Sequence, residues 1–126
     1  MTIWILVALG VFLINIFLPA LIYLPQIGVG GHVGPRDAAP EPAKYAARAR
    51  RSLRNHQENL PIFLALALLA MITDGADMGQ AILGAQMYVA GRLAYMPLYL
   101  FGVPWVRSAA YMVGLLGCVL IMLAIL

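Results

Sequence analysis

Apolar residues run from Ile3 to Leu24, interrupted by Asn15 and Pro19. A helix needs about 20 such residues to cross the hydrocarbon of a bilayer. The segment therefore predicts a first membrane span over 3–24. No Lys or Arg precedes it, and the run is long for a cleaved signal. Asn15 is expected to face neighbouring helices, because an amide turned to lipid would go unsatisfied. From Pro25 to Pro42 the pattern breaks into Gly and Pro, the signature of a loop. Pro42 suits the first turn of the helix that follows.

The second helix is amphipathic along its length rather than around its axis. Leu60 to Thr73 is apolar but too short to span alone, while Ala43 to Asn59 is rich in Ala and Arg and has no breaker. One long helix over 43–73 is the economical reading, with Pro61 as a point of bending. Asp74, Gly75 and Asp77 make a tight turn, 78–100 forms a third span, Gly102 to Pro104 a short connection, and 105–126 a fourth. The expectation is an all-α membrane protein: a single four-transmembrane-helix up-down bundle over 1–126, without a soluble module.

Composition strengthens this picture. The chain has 126 residues, of which 63% are hydrophobic and 10% charged, whereas soluble domains average about 45–50% and about 25%. The net charge of +3 carries no aromatic-interleaved basic run, which argues against nucleic acid. Cys118 is the sole cysteine, so a disulfide within the chain and a cysteine-based metal site are excluded, and it is expected to pack in the core. Arg36, Lys44, Arg48, Arg50, Arg51 and Arg54 cluster at the first connection, against Asp74 and Asp77 at the second. By the positive-inside tendency both termini lie outside the cytoplasm. That suits a bacterial inner membrane and an endoplasmic-reticulum membrane equally.

Ionisable residues at membrane depth are costly and mark candidate sites. At about 100° per residue, Arg51, Arg54, Asn55 and Glu58 share one arc of the second helix while His56 points elsewhere. Arg92, Tyr95 and Tyr99 share a face of the third, and Arg107 and Tyr111 lie one turn apart on the fourth. All three stripes fall in the cytoplasmic half. Arginines outnumbering one glutamate favour an anion, and a ligand with two carboxylates and an amine fits the balance. The competing reading is that Arg51, Arg54 and Glu58 only brace helices, Arg54 and Glu58 lying four residues apart at a spacing that allows a pair. Arg48 and Arg50 are assigned to lipid headgroups.

The run Arg51-Ser-Leu-Arg54-Asn55-His-Gln-Glu58-Asn-Leu-Pro-Ile-Phe63 resembles the second-helix signature of the MAPEG family, the membrane-associated proteins of eicosanoid and glutathione metabolism. Arg92-Leu-Ala-Tyr95 with Tyr99 looks like the family's third helix, and Arg107-Ser108 with Tyr111 like the start of its fourth. The resemblance covers most of the chain and looks like that of a bacterial-type member. It implies a homotrimer with glutathione held between subunits by Arg51, Arg54, Asn55, Glu58, Tyr95, Tyr99 and Tyr111; Arg92 joins this set through its stripe with Tyr95. Arg107 and Ser108 would activate the glutathione thiol, which attacks a lipophilic electrophile from the bilayer; no metal is called for. One feature departs from better-known members: where they carry a basic anchor near the end of helix one, this chain reads Tyr23-Leu-Pro-Gln26, and the next arginine is Arg36. Asn59 stands where some members have an aromatic. The departure motivates a second reading, a catalytically inactive membrane scaffold. A small transporter is a third, weakened because arginines around Glu58 favour its ionised form over the proton exchange such export needs.

Overall fold

A computed structural model describes residues 1–35, 37 and 39–126. Four helices follow one another: α1 Thr2–Val33, α2 Lys44–Ile72, α3 Met78–Phe101 and α4 Pro104–Ile125, with no strand among the described residues. α1 and α4 are each long and apolar enough to cross a membrane.

The helix ends have local causes. Asp77 caps α3 by accepting from the Gln80 amide at 3.0 Å, satisfying one of the free N–H groups of the first turn. Gly102 takes the left-handed conformation, φ 77°, that closes α3. The amides of Gly102 and Val103 both return to the Leu98 carbonyl, a glycine-dependent ending. α4 starts with Pro104, whose missing N–H is no loss at that position.

Two expectations about the first connection are corrected. Helix does not stop near Leu24 but runs through Pro25, because a proline removes one backbone bond without ending a helix whose neighbours hold it. The α-helical path breaks at Gly28, at φ 68° and ψ 173°, and a short helical stretch follows to Val33. Pro42 lies outside α2, which is preceded by Ala43 as its cap residue. The long second helix stands as one element across Pro61.

α3 and α4 pack closest, antiparallel and joined at their far ends, where the Asp77 amide donates to the Ala124 carbonyl at 2.9 Å and Gln80 Nε2 to the Leu120 carbonyl at 3.1 Å. A Cβ on Gly117 would sit 2.4 Å from the Gly84 carbonyl oxygen, and one on Gly91 2.7 Å from that of Ala110. Small residues let these two backbones touch, as interfaces between membrane helices require. Phe63 of α2 stacks on Tyr88 of α3, 4.1 Å between centroids and 3° from parallel. Around them Leu60, Ala67, Ala85, Cys118 and Ile121 form the core. α1 adds a stripe of buried residues at helical spacing, Ala8, Val11, Asn15, Pro19 and Tyr23. Asn15 does face the bundle: its amide contacts His56 Nδ1 at 3.2 Å.

Candidate functional site

Between α2, α3 and α4 lies a groove of about 280 Å³, lined by Asn55, Tyr95, Arg107, Ser108, Tyr111 and Met112. Its floor is organised by Arg92. Only 3% exposed, this side chain donates from Nη1 to Asn55 Oδ1 at 2.8 Å. Its guanidinium lies 5.2, 5.7 and 5.4 Å from the ring centroids of Tyr88, Tyr95 and Tyr111. Three π-faces partly replace the water that a buried cation loses.

The Arg92 bond fixes which way the Asn55 amide points. An arginine has only donors, so the carboxamide oxygen must be the acceptor and the NH₂ group is left for the groove. Above it the Arg107 guanidinium lies 4.5 Å from the Tyr99 ring centroid. Tyr99 in turn meets Tyr95 at 5.5 Å, and Tyr95 meets Tyr111 at 6.2 Å. No carboxylate lines the groove. Its polar character is an arginine, an amide NH₂ group and the hydroxyls of Tyr95, Tyr111 and Ser108, a set that suits an anion.

The remaining residues of the second-helix stripe sit apart. Arg51, Arg54 and Glu58 are exposed on α2. Arg54 Nε meets Glu58 Oε1 at 3.2 Å, with side chains 82% and 59% exposed. The stripe therefore reaches the groove through Asn55 alone. The hydroxyl of Ser108 donates to the Pro104 carbonyl at 3.0 Å, so its single hydrogen is engaged. Asn59 turns back to its own helix, donating to the Asn55 carbonyl at 2.7 Å.

Arg48 departs from its expected role, while Arg50 and Gln26 find their partners near the first connection. Arg48, assigned above to lipid headgroups, instead donates to the Leu100 carbonyl at 3.2 Å, so it caps the negative end of α3. Its guanidinium lies where a Cβ on Gly102 would go, a second reason for glycine there. Arg50 sits 4.8 Å over the Tyr23 ring. Gln26, at the place of the absent basic anchor, clamps the first connection: Nε2 donates to the Glu41 carbonyl at 2.7 Å and Oε1 accepts from the Ala43 amide at 2.9 Å. Long-range contacts like these leave no periodic signal in a sequence.

A MAPEG family model matches residues 1–126, the full length of the chain. The chain belongs to the MAPEG family. No curated protein matches it. The MAPEG family is membrane-associated and includes glutathione transferases and peroxidases among other members. Among the described residues no cluster of His, Cys, Asp and Glu could hold a metal ion, and Cys118 is buried among core residues.

Proposed function

We propose that this MAPEG protein is a glutathione-dependent membrane transferase or peroxidase acting on lipophilic electrophiles. The observation that carries the reading is the carboxylate-free groove, in which Arg92 turns the Asn55 amide outward beneath Arg107. A free thiol titrates near 8.5, and lowering that by about 1.5 units requires ~2 kcal/mol of preference for the thiolate. A guanidinium beside the sulfur in a partly dry groove is sufficient. Arg107 is assigned this catalytic role. Ser108 assists by exchanging its Pro104 bond for one to the sulfur, while Tyr95, Tyr99, Tyr111 and Asn55 bind the peptide. Arg92 is assigned to the same ligand set, acting through Asn55 and the tyrosine rings rather than by direct contact.

Arg51, Arg54 and Glu58 belong to this scheme only in an assembly. Charges so exposed at the depth of a bilayer call for a cover, and we assign that cover to the neighbouring subunit of a homotrimer, where these side chains would meet glutathione's carboxylates and amine. We read all four helices as spans, a reading supported by their lengths of 32, 29, 24 and 22 residues and by the apolar character of α1 and α4. Membrane lipids and a lipophilic co-substrate are the other expected partners, in a bacterial inner membrane with both termini outside.

Calorimetry with glutathione at pH 7 and pH 9 tests the proposal. Binding accompanied by proton release at pH 7, lost in Arg107→Ala, is the expected result. Absence of binding at both pH values sinks it and favours the second reading, an inactive scaffold. Gln26 is the observation behind that alternative, since both ends of its amide are spent on the first connection rather than on a ligand.

A further inference from the structure

Away from the groove, the α1–α2 side of the molecule carries a second built cavity. A crevice of about 300 Å³ is lined by Ile16, Pro19, Ala20, Leu53, His32 and Arg50, together with Tyr23. In an unbroken helix Ile16 and His32 would stand about 24 Å apart. They share one crevice because the chain turns back at Gly28. Its walls are the apolar Ile16, Pro19, Ala20 and Leu53, and Arg50 is shared with the cavity next to it. Tyr23 and Arg50 also line an adjoining cavity of about 510 Å³, whose other walls are Ala39, Pro40, Pro42 and the carboxylate-bearing Glu41.

The two cavities together have three chemically distinct parts: a hydrocarbon wall, a guanidinium, and a carboxylate beyond it. Tyr23 fixes the guanidinium's place through the ring contact at 4.8 Å. It is itself held by a hydroxyl bond to the Pro40 carbonyl. The Gln26 clamp on Glu41 and Ala43 holds the acidic segment against the same helix. The order is that of an amphiphile whose tail is followed by a phosphate and then by a primary amine.

We propose that this crevice is a binding site for an aminophospholipid, with the phosphate on Arg50, the ammonium toward Glu41 and an acyl chain along Ile16, Ala20 and Leu53. Arg50 supplies charge-assisted bonds to phosphate oxygens. Glu41 makes the site prefer an ammonium headgroup to a glycerol one, since a glycerol headgroup leaves the carboxylate unpaired beside the phosphate's negative charge. The apolar side chains outside the crevice, Phe17 and Leu21, are exposed on α1 and continue the hydrocarbon surface. Within one chain it shares no lining residue with the Arg107 groove, and the proposal does not depend on the reaction assigned there. It depends on the chain lying in a membrane.

The experiment is native mass spectrometry of detergent-purified full-length protein, titrated in parallel with phosphatidylethanolamine and phosphatidylglycerol of matched acyl chains. Wild type is expected to retain phosphatidylethanolamine preferentially. Arg50→Ala should weaken retention of both lipids by about tenfold, the value of one charge-assisted contact. Glu41→Gln should keep phosphate binding but abolish the preference. Equal retention by wild type and Arg50→Ala, or no lipid preference in wild type, overturns the proposal. Glutathione titration of the same samples separates the two sites. Loss of glutathione binding in Arg50→Ala with unchanged lipid retention assigns Arg50 to the thiol ligand and also overturns it. Lipid selectivity in a wild type that ignores glutathione leaves this site standing while removing the function proposed for the groove.

Discussion

Taking a guanidinium out of water costs several kcal/mol even after relaxation, and Arg92 is only 3% exposed with no carboxylate paired to it among the described residues. Its Nε also lacks a hydrogen-bond partner there. Such a group is a poor investment in stability, and its effect falls on Asn55 and the tyrosines instead. Arg92→Leu, similar in bulk but uncharged, is therefore expected to leave thermal stability unchanged or raised while glutathione affinity falls about tenfold or more. Thermal unfolding in detergent and calorimetry on the same sample check both halves; a lower melting temperature would mean that the arginine braces the bundle after all. A second residue-scale test concerns Tyr99, which shelves Arg107 at 4.5 Å. Tyr99→Phe keeps the π-face under Arg107 and should keep kcat, with any loss from the missing hydroxyl confined to KM for glutathione. Tyr99→Ala should lose roughly 2- to 5-fold in kcat/KM, matching a cation–π contact of about 0.5–1 kcal/mol.

At the level of elements, the α3–α4 contact and the first connection set where the site lies. Gly117→Leu would drive a side chain into backbone at 2.4 Å, and rotation about χ1 cannot relieve a clash that begins at Cβ. A loss of more than about 2 kcal/mol is expected, read as a lower melting temperature and early elution as aggregate. Gly10→Ala, with nothing within 4 Å of its added carbon, is the matched control. Gln26→Ala removes two hydrogen bonds that hold the first connection. At about 1 kcal/mol for each bond, limited proteolysis should cut between Gly34 and Ala43 faster in this variant. Cleavage at the wild-type rate would show the clamp to be idle. The boundaries of α3 and α4 were readable from Asp77, Gly102 and Pro104 because caps and turn glycines act within a few residues. The continuation of α1 past Pro25 was not, since proline is a local signal and the contacts that carry a helix across it come from elsewhere in the chain.

For the whole molecule, the outer surface is apolar on α1, on α4 and on the far half of α2, where Ile3, Leu13, Phe17, Leu69, Leu116 and Met122 are all exposed. Single cysteines placed near Thr2 and near Asp74, in a chain with Cys118 replaced by Ala, should react with an impermeant thiol reagent applied from the outer side. A cysteine near Ala43 should not react unless the membrane is opened. The reverse pattern would invert the topology. The exposed Arg54–Glu58 pair makes a further demand at this scale. An exposed pair adds little stability, about 0.3–0.5 kcal/mol at this spacing, so its value lies in what it meets in an assembly. Light scattering of the purified protein is expected to give the mass of three chains.

The sequence by itself determined that four helices follow one another and which of their stretches are apolar, because hydropathy is written in local residue choice, but it did not determine where α1 ends. It also determined the residue types available for an anion site, and the family. Only the tertiary structure decided which of them meet. It joined Asn55 to Arg92 across 37 positions and turned the amide outward. It left Arg51, Arg54 and Glu58 on the surface of the single chain, and took Arg48 from the headgroups to the end of α3. The physical reason is the same in each case: periodicity tells which side of a helix a residue occupies, but the partner on that side is chosen by how the helices rotate and approach, and here that is set by glycines that let α3 and α4 touch and by the turn at Gly28.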